Sequence, residues 1–178
     1  MDQEKIKAGV RLILEGVGED VQREGLKETP EKVADMLSEI LSGTGEELNV
    51  GSNLDEIVAD DLIVIKDIPF YSMCEHHFLP FFGRVHLAYI PQNNKVSGFS
   101  ALTKLVDHLS KRLQLQERLT NQIAEAILKK LEPQGVFVLV EAQQLCVSMR
   151  GSKKDTVKTI TQAIRGDFPV ERLKFAGF

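Results

Sequence analysis

Cys74-Glu75-His76-His77 is the stretch of this chain richest in metal- and proton-handling side chains. The spacing C-x-x-H lets a thiolate and an imidazole converge on one ion across a tight segment. The other cysteine, Cys146, lies far along the chain on a segment that reads as strand. Cys74, His77 and Cys146 would make a Cys₂His zinc site. Structural zinc usually takes four protein ligands, and three leave a position open for water. Zinc lowers the pKa of that water towards neutrality, which a hydrolytic site requires. The spacing fits equally a buried cysteine pair with surface histidines. His76 can point away from such an ion and act as acid or base, since imidazole is the side chain suited to proton transfer near neutral pH. It can also be an exposed histidine that happens to neighbour a ligand.

Further along, Gln114-Leu115-Gln116-Glu117-Arg118 opens a helix. A carboxylate such as Glu117 can accept the paired N–H donors of a guanine edge, or be a solvated first-turn glutamate favoured by the helix dipole. Arg150-Gly151-Ser152-Lys153-Lys154 is a basic turn able to hold phosphates, or a solvated one. His86, on the polar side of an alternating strand, and His108, within a helix, read as structural. Arg165-Gly166-Asp167 spells an integrin-type tripeptide, discounted for want of a secretion signal.

The elements that must position these residues can be read from periodicity. Ile6, Val10, Ile13, Leu14 and Val17 recur at helical spacing, and Gly16 and Gly18 break the pattern. A second helix starts at Thr29-Pro30, read as N-cap and first helical residue, and ends at Gly43. Residues 44–60 are polar and aperiodic and read as a linker. The division expected is therefore residues 1–60, an N-terminal helical extension and linker, and residues 61–178, the catalytic domain. That domain opens with a short strand at 62–65, followed by an irregular stretch at 70–82 and a strand around Val85, Leu87 and Tyr89. Ser100 is expected to cap a helix, and a second helix carries Leu119, Ile123 and Ile127. Residues 136–140 and 145–149 are expected to form a third strand or a bulged pair, and residues 156–164 a fourth strand. The order β-β-α-α-β-β predicts an α+β domain with helices on one face of an antiparallel sheet. Its open edges make pairing with further copies plausible.

The 178 residues are 43% hydrophobic and 27% charged, in the range of an ordinary globular protein. A net charge of −4 argues against a general nucleic-acid binder, and no apolar run is long enough to span a membrane. The opening Met1-Asp2-Gln3-Glu4-Lys5 lacks the apolar core of a signal peptide. Two cysteines are not a disulfide scaffold, so a cytoplasmic address with free or metal-bound thiols is expected.

Together the motifs resemble GTP cyclohydrolase I, the zinc-dependent first enzyme family of pterin and folate synthesis. The resemblance runs through REGLKETP (23–30), SMCEHHFLPFFG (72–83), YIPQNNKVSGFS (89–100), RLQLQERLTNQIAEAI (112–127), LEPQGVFVLVEA (131–142) and CVSMRG (146–151). It implies that Cys74, His77 and Cys146 bind zinc and that His76 is the catalytic histidine beside it. It further implies that Gln116 and Glu117 hold the guanine base and that Ser100 and Arg150 contact the triphosphate. The implied fold is the tunnelling fold. The implied assembly is a homo-oligomeric ring, typically a decamer of two stacked pentamers with active sites at subunit interfaces. The implied reaction opens GTP at C8, releases formate and closes the ring of 7,8-dihydroneopterin triphosphate.

Several positions depart from the family pattern. Gln144 stands where the family usually has a histidine, and an amide does not shuttle protons near neutral pH. Ala101 replaces the usual lysine, while Lys104 and Lys32 replace arginines, keeping charge but losing the bidentate fork. The stretch 168–178 does not follow the usual closing segment. Alternatives therefore stand beside the family activity. One is a paralogue that stops at a ring-opened or deformylated pyrimidine, or takes a guanine nucleotide with fewer phosphates. Another is a catalytically weak ring subunit that binds nucleotide or zinc. The zinc-free nitrile reductases of the same fold are a further alternative, against which the CEHH segment speaks.

Overall fold

In the computed structural model, which describes residues 1–44, 61–93 and 95–176, the chain opens with two packed helices. α1 (Gln3–Gly16) is capped by Asp2, whose carboxylate accepts the Lys5 N–H at 3.1 Å. α2 (Thr29–Ile40) carries Pro30 in its first turn, where its missing N–H costs nothing. The expected Thr29 cap is corrected by one residue: Glu28 takes the cap position and makes no side-chain capping bond. Beyond Thr44 the expected linker lies outside the described residues.

The stretch 70–82, expected to be irregular because of its prolines and glycine, is instead the ends of two long strands and the turn joining them. β1 (Ile63–Cys74) and β2 (Pro80–Ile90) pair antiparallel, with Tyr71 opposite Phe82. Pro69 follows a register shift between Ile65 and Ile68, where the ladder is already broken, and Pro80 opens β2. A strand tolerates proline at both kinds of position.

α3 (Phe99–Ser110) is capped by Gly98, so Ser100 lies inside its first turn instead of capping it. A two-residue strand, β3 (Leu113–Gln114), runs parallel to β1 and leads into α4 (Gln116–Leu131). β4 (Gly135–Gln144) is followed directly by a one-turn helix, α5 (Leu145–Ser148), where a strand was expected. β5 (Thr159–Gly166) begins three residues later than expected. A 3₁₀ segment (Val170–Ala176) ends the described chain.

The sheet order is β3-β1-β2-β4-β5, so the expected β-β-α-α-β-β order holds with one short parallel strand added at the edge. Alternation along the strands sorts the two faces. Val85, Leu87, Val138 and Val140 face Leu105, Leu119 and Ile123 of α3 and α4 in the main core. Ala88 and Phe137 point the other way, where Phe168 and Leu173 cover them. Gly83 lets β2 and β4 close: a Cβ there would lie 1.9 Å from the Glu141 carbonyl oxygen. Among the described residues no helix is long and apolar enough to cross a membrane.

Candidate metal centre and nucleotide cleft

The turn between β1 and β2 holds the metal-ligand motif. It is closed by two backbone bonds, Cys74 N–H to Leu79 O and Phe78 N–H to Cys74 O, both 2.9 Å, with Phe78 in the left-handed region at φ 51°. β3 pins it from the side, since Gln114 O accepts the Glu75 N–H at 3.1 Å. Arg118 of α4 adds a fork to the Glu75 carboxylate, with contacts of 2.5 and 2.9 Å. That guanidinium holds the Glu75 carboxyl below its ordinary value. The turn carrying two of the candidate ligands is thereby tied to the helix that carries Gln116 and Glu117.

The third candidate ligand comes from the end of β4, on the same core face as Cys74. Gln144 ends β4 opposite Phe81, and the chain then turns into α5, which places Cys146 beside Cys74. That residues Leu145–Ser148 form a helical turn instead of a strand matters here. A strand would carry Cys146 onward along the ladder, whereas one helical turn folds it back. The sulfurs of Cys74 and Cys146 and a ring nitrogen of His77 all lie within 4.8 Å of one another, with Cys74 Sγ and His77 Nδ1 4.0 Å apart. Burial, then the adjacent Cys74 thiol, push the Cys146 thiol up, with Arg150 opposing. Two neighbouring thiolates are thus disfavoured until a cation joins them, and a divalent ion reverses that balance. Two sulfurs and an imidazole in this spacing fit zinc.

Cys74 and Cys146 open onto a cleft of about 520 Å³, whose walls also include His76, Gln116, Glu117 and Gln144. This volume falls in the range of small-molecule sites. Glu117, in the first turn of α4, is exposed, and so is His76. Gln116 is 3% exposed, and its amide is engaged inside the protein. Its Nε2 lies within reach of Val140 O (3.0 Å), Thr159 O (2.9 Å) and Thr161 Oγ1 (3.2 Å), and its Oε1 accepts from Gln144 Nε2 at 2.8 Å. Thr120 and Thr161 complete the network, with their hydroxyls 2.6 Å apart and Thr120 donating to Gln116 O at 2.7 Å.

The residues expected at the triphosphate are distributed differently. Arg150 is exposed just after α5, close enough to act electrostatically on Cys146. Ser100, Lys104 and Lys32 are exposed and do not line this cleft. Lys32 pairs with Glu28 at 2.8 Å. Ala101 packs partly buried against the main core. His86 accepts the Asp67 N–H at 3.2 Å and His108 contacts Arg112 at 2.8 Å, in keeping with structural roles. Sequence reasoning missed the Glu75–Arg118 fork, the Gln116–Gln144 pair and the cleft-lining Gln114, Leu115, Val147 and Thr159.

Residues 6–176 match the family model described as GTP cyclohydrolase I. The chain is 51% identical over 171 residues to "GTP cyclohydrolase 1" of Carboxydothermus hydrogenoformans, covering 94% of this chain and 88% of that one. It is 52% identical over 171 residues to the protein of the same name from Clostridium perfringens strain 13, covering 94% and 91%. A solved structure of the archaeosine synthase QueF-Like in the apo form is similar over 61% of this chain and 96% of that one, at 24% identity and a TM-score of 0.48. With the family model covering nearly its whole length, and relatives at half identity over more than nine-tenths of it, this chain belongs to the GTP cyclohydrolase I family.

Proposed function

We propose that the chain hydrolyses GTP at C8 of the base, releases formate and closes the product to 7,8-dihydroneopterin triphosphate, in folate and pterin synthesis. The observation that carries this reading is the convergence of the Cys74, His77 and Cys146 donors at a cleft whose wall also bears Glu117. Zinc bound by those three donors supplies Lewis acidity and makes water nucleophilic at neutral pH. Glu117 accepts the paired N–H donors of the guanine edge with its two carboxylate oxygens, from a first-turn position that favours its charge. His76, on the same wall, moves the proton at the imidazole-ring nitrogen of the base as that ring opens. Arg150 faces the phosphates.

Ser100, Lys104 and Lys32 reach a nucleotide in this reading from a neighbouring copy. Their exposed positions away from the cleft support a ring, with a decamer as the expected form. In this reading residues 1–60 are an N-terminal extension and linker, and residues 61–178 are the catalytic domain. A cytoplasmic setting suits the two free thiols.

One observation favours a second reading, in which the reaction halts at a ring-opened or deformylated pyrimidine. Gln144 spends its amide on Gln116 and offers no titrating group for the later carbonyl rearrangement. Mass spectrometry of the products from zinc-loaded protein and GTP under reducing conditions separates the two. Dihydroneopterin triphosphate with formate establishes the full reaction. A formamide or diaminopyrimidine product places the block after ring opening. Unchanged GTP with zinc bound refutes both and leaves GMP, GDP or a non-catalytic role.

A further inference from the structure

Gln116 and Gln144 are both amides, and an amide can face either way unless its partners choose for it. For Gln116 the choice is made by backbone. Val140 O and Thr159 O, at 3.0 and 2.9 Å, are carbonyl oxygens that only accept, so Nε2 must face them. Oε1 is then the end turned to Gln144, and Gln144 must answer with Nε2, at 2.8 Å. Two backbone carbonyls thus fix the orientation of a side chain two residues removed in the network. Gln144 is part of the cleft wall, and with its Nε2 drawn to Gln116 its remaining polar atom, Oε1, takes no hydrogen bond among the described residues.

We infer that Gln116 is a positioning residue acting through Gln144, and that it holds Gln144 so as to present a carbonyl acceptor to the cleft. The group seated against Gln144 is therefore a hydrogen-bond donor, a hydroxyl or an N–H. This rests on the reading of the cleft as a nucleotide site. The donor comes either from the nucleotide or from a water beside the cysteine pair. A histidine at 144 satisfies the same constraint, since one ring nitrogen donates to Gln116 Oε1 and leaves the lone pair of the other facing the cleft. Leucine or methionine satisfies neither half.

A double-mutant cycle tests the coupling, with Gln116→Met, Gln144→Leu and both together. Formate release by zinc-loaded protein gives kcat and KM, and GTP binding to zinc-free protein gives a dissociation constant. Each single change is expected to cost about five- to tenfold, the worth of one neutral hydrogen bond, and the double change no more than the worse single. If GTP binding to zinc-free protein weakens as well, the donor belongs to the nucleotide. If only kcat falls, the donor is the water. Losses that multiply in the double variant, or a loss on Gln116→Met with none on Gln144→Leu, overturn the inference. Should Gln116→Met not fold, Gln144→Met is compared with Gln144→His. Activity retained by histidine and lost by methionine supports the proposal, and equal activities overturn it. A wild-type protein that neither binds GTP nor releases formate overturns the functional reading beneath it. Additive losses in an active wild type overturn this inference alone.

Discussion

Replacing Thr161 by valine removes one hydroxyl from beneath the cleft while keeping the side chain's shape, and the network around it sets the cost. The Thr120 hydroxyl donates to Gln116 O at 2.7 Å, so in the 2.6 Å contact between the two threonines the donor is Thr161. Thr161 Oγ1 in turn is one of three acceptors near Gln116 Nε2, the longest at 3.2 Å. An amide nitrogen has two hydrogens. After Thr161→Val these keep Val140 O and Thr159 O, and Thr120 keeps its own acceptor, so no buried donor is orphaned. The cost is then that of one net hydrogen bond, about 1 kcal/mol. For a chain of this size that lowers Tm by about 2–4 °C. Gln116→Met is different in kind, because it strips Gln144 Nε2 of its acceptor and takes the Gln116 amide donor from two backbone carbonyls at once. Each orphaned group costs about 1–3 kcal/mol, so this variant is expected to lose several times more. Urea and thermal unfolding of the two variants measure the difference, and formate release by Thr161→Val is expected to stay within about twofold of wild type. A Thr161→Val variant as unstable as Gln116→Met refutes this account of which acceptors matter.

Zinc is expected to raise Tm by roughly 5–10 °C at about a hundredfold excess over its dissociation constant, a linkage of about 2.7 kcal/mol. The shift should vanish with chelator and in Cys146→Ala, and a thermal scan that moves equally in the variant counts against Cys146 as a ligand. His76→Gln should leave the zinc content of the purified protein unchanged while formate release falls by about 10²–10⁴-fold. Loss of zinc in that variant would make His76 part of the metal site instead. Arg118→Lys keeps the charge but gives up the fork on Glu75, and zinc should dissociate faster as the turn loosens. Exchanging the pair, Glu75→Arg with Arg118→Glu, should slow dissociation again, whereas an unchanged zinc off-rate in Arg118→Lys shows that the backbone bonds alone hold the turn.

The element order and the closeness of Cys74 to His77 were legible because both depend on local pattern. Helical spacing marked Leu119, Ile123 and Ile127, and all three are buried in the main core. C-x-x-H spacing made the approach of Cys74 and His77 readable, because the short turn between β1 and β2 leaves the two side chains 4.0 Å apart. The prolines misled because a proline is a breaker only where the ladder needs its N–H, and neither Pro69 nor Pro80 occupies such a place. Residues 145–149 read as strand from their apolar content, yet the helix that replaces it is one turn long, too short for any periodicity to register. The Gln116 network was illegible for another reason. Its partners at 140, 144, 159 and 161 meet only through the β4–β5 register, and nothing in an isolated glutamine says whether its amide faces substrate or backbone.

Register also decides between two adjacent and chemically identical side chains. Gln143 and Gln144 lie opposite Phe82 and Phe81, and successive strand residues point to opposite faces. Phe81 is buried at the cleft, so Gln144 faces it too. Phe82 stacks on exposed Tyr71 on the other face, at a centroid distance of 5.6 Å. Gln143 follows it there, donating to Asp155 O at 2.6 Å beside Glu141 and Lys158. Gln143→Ala is therefore expected to leave GTP turnover within about twofold, as a surface change does, while Gln144→Ala loses about fivefold or more. A one-residue slip between β2 and β4 would exchange the two outcomes, because it would turn Gln143 to the cysteines and Gln144 away from them. Turnover that falls in Gln143→Ala and survives in Gln144→Ala would show the strands paired in that other register, and the Gln116 contact would go with it.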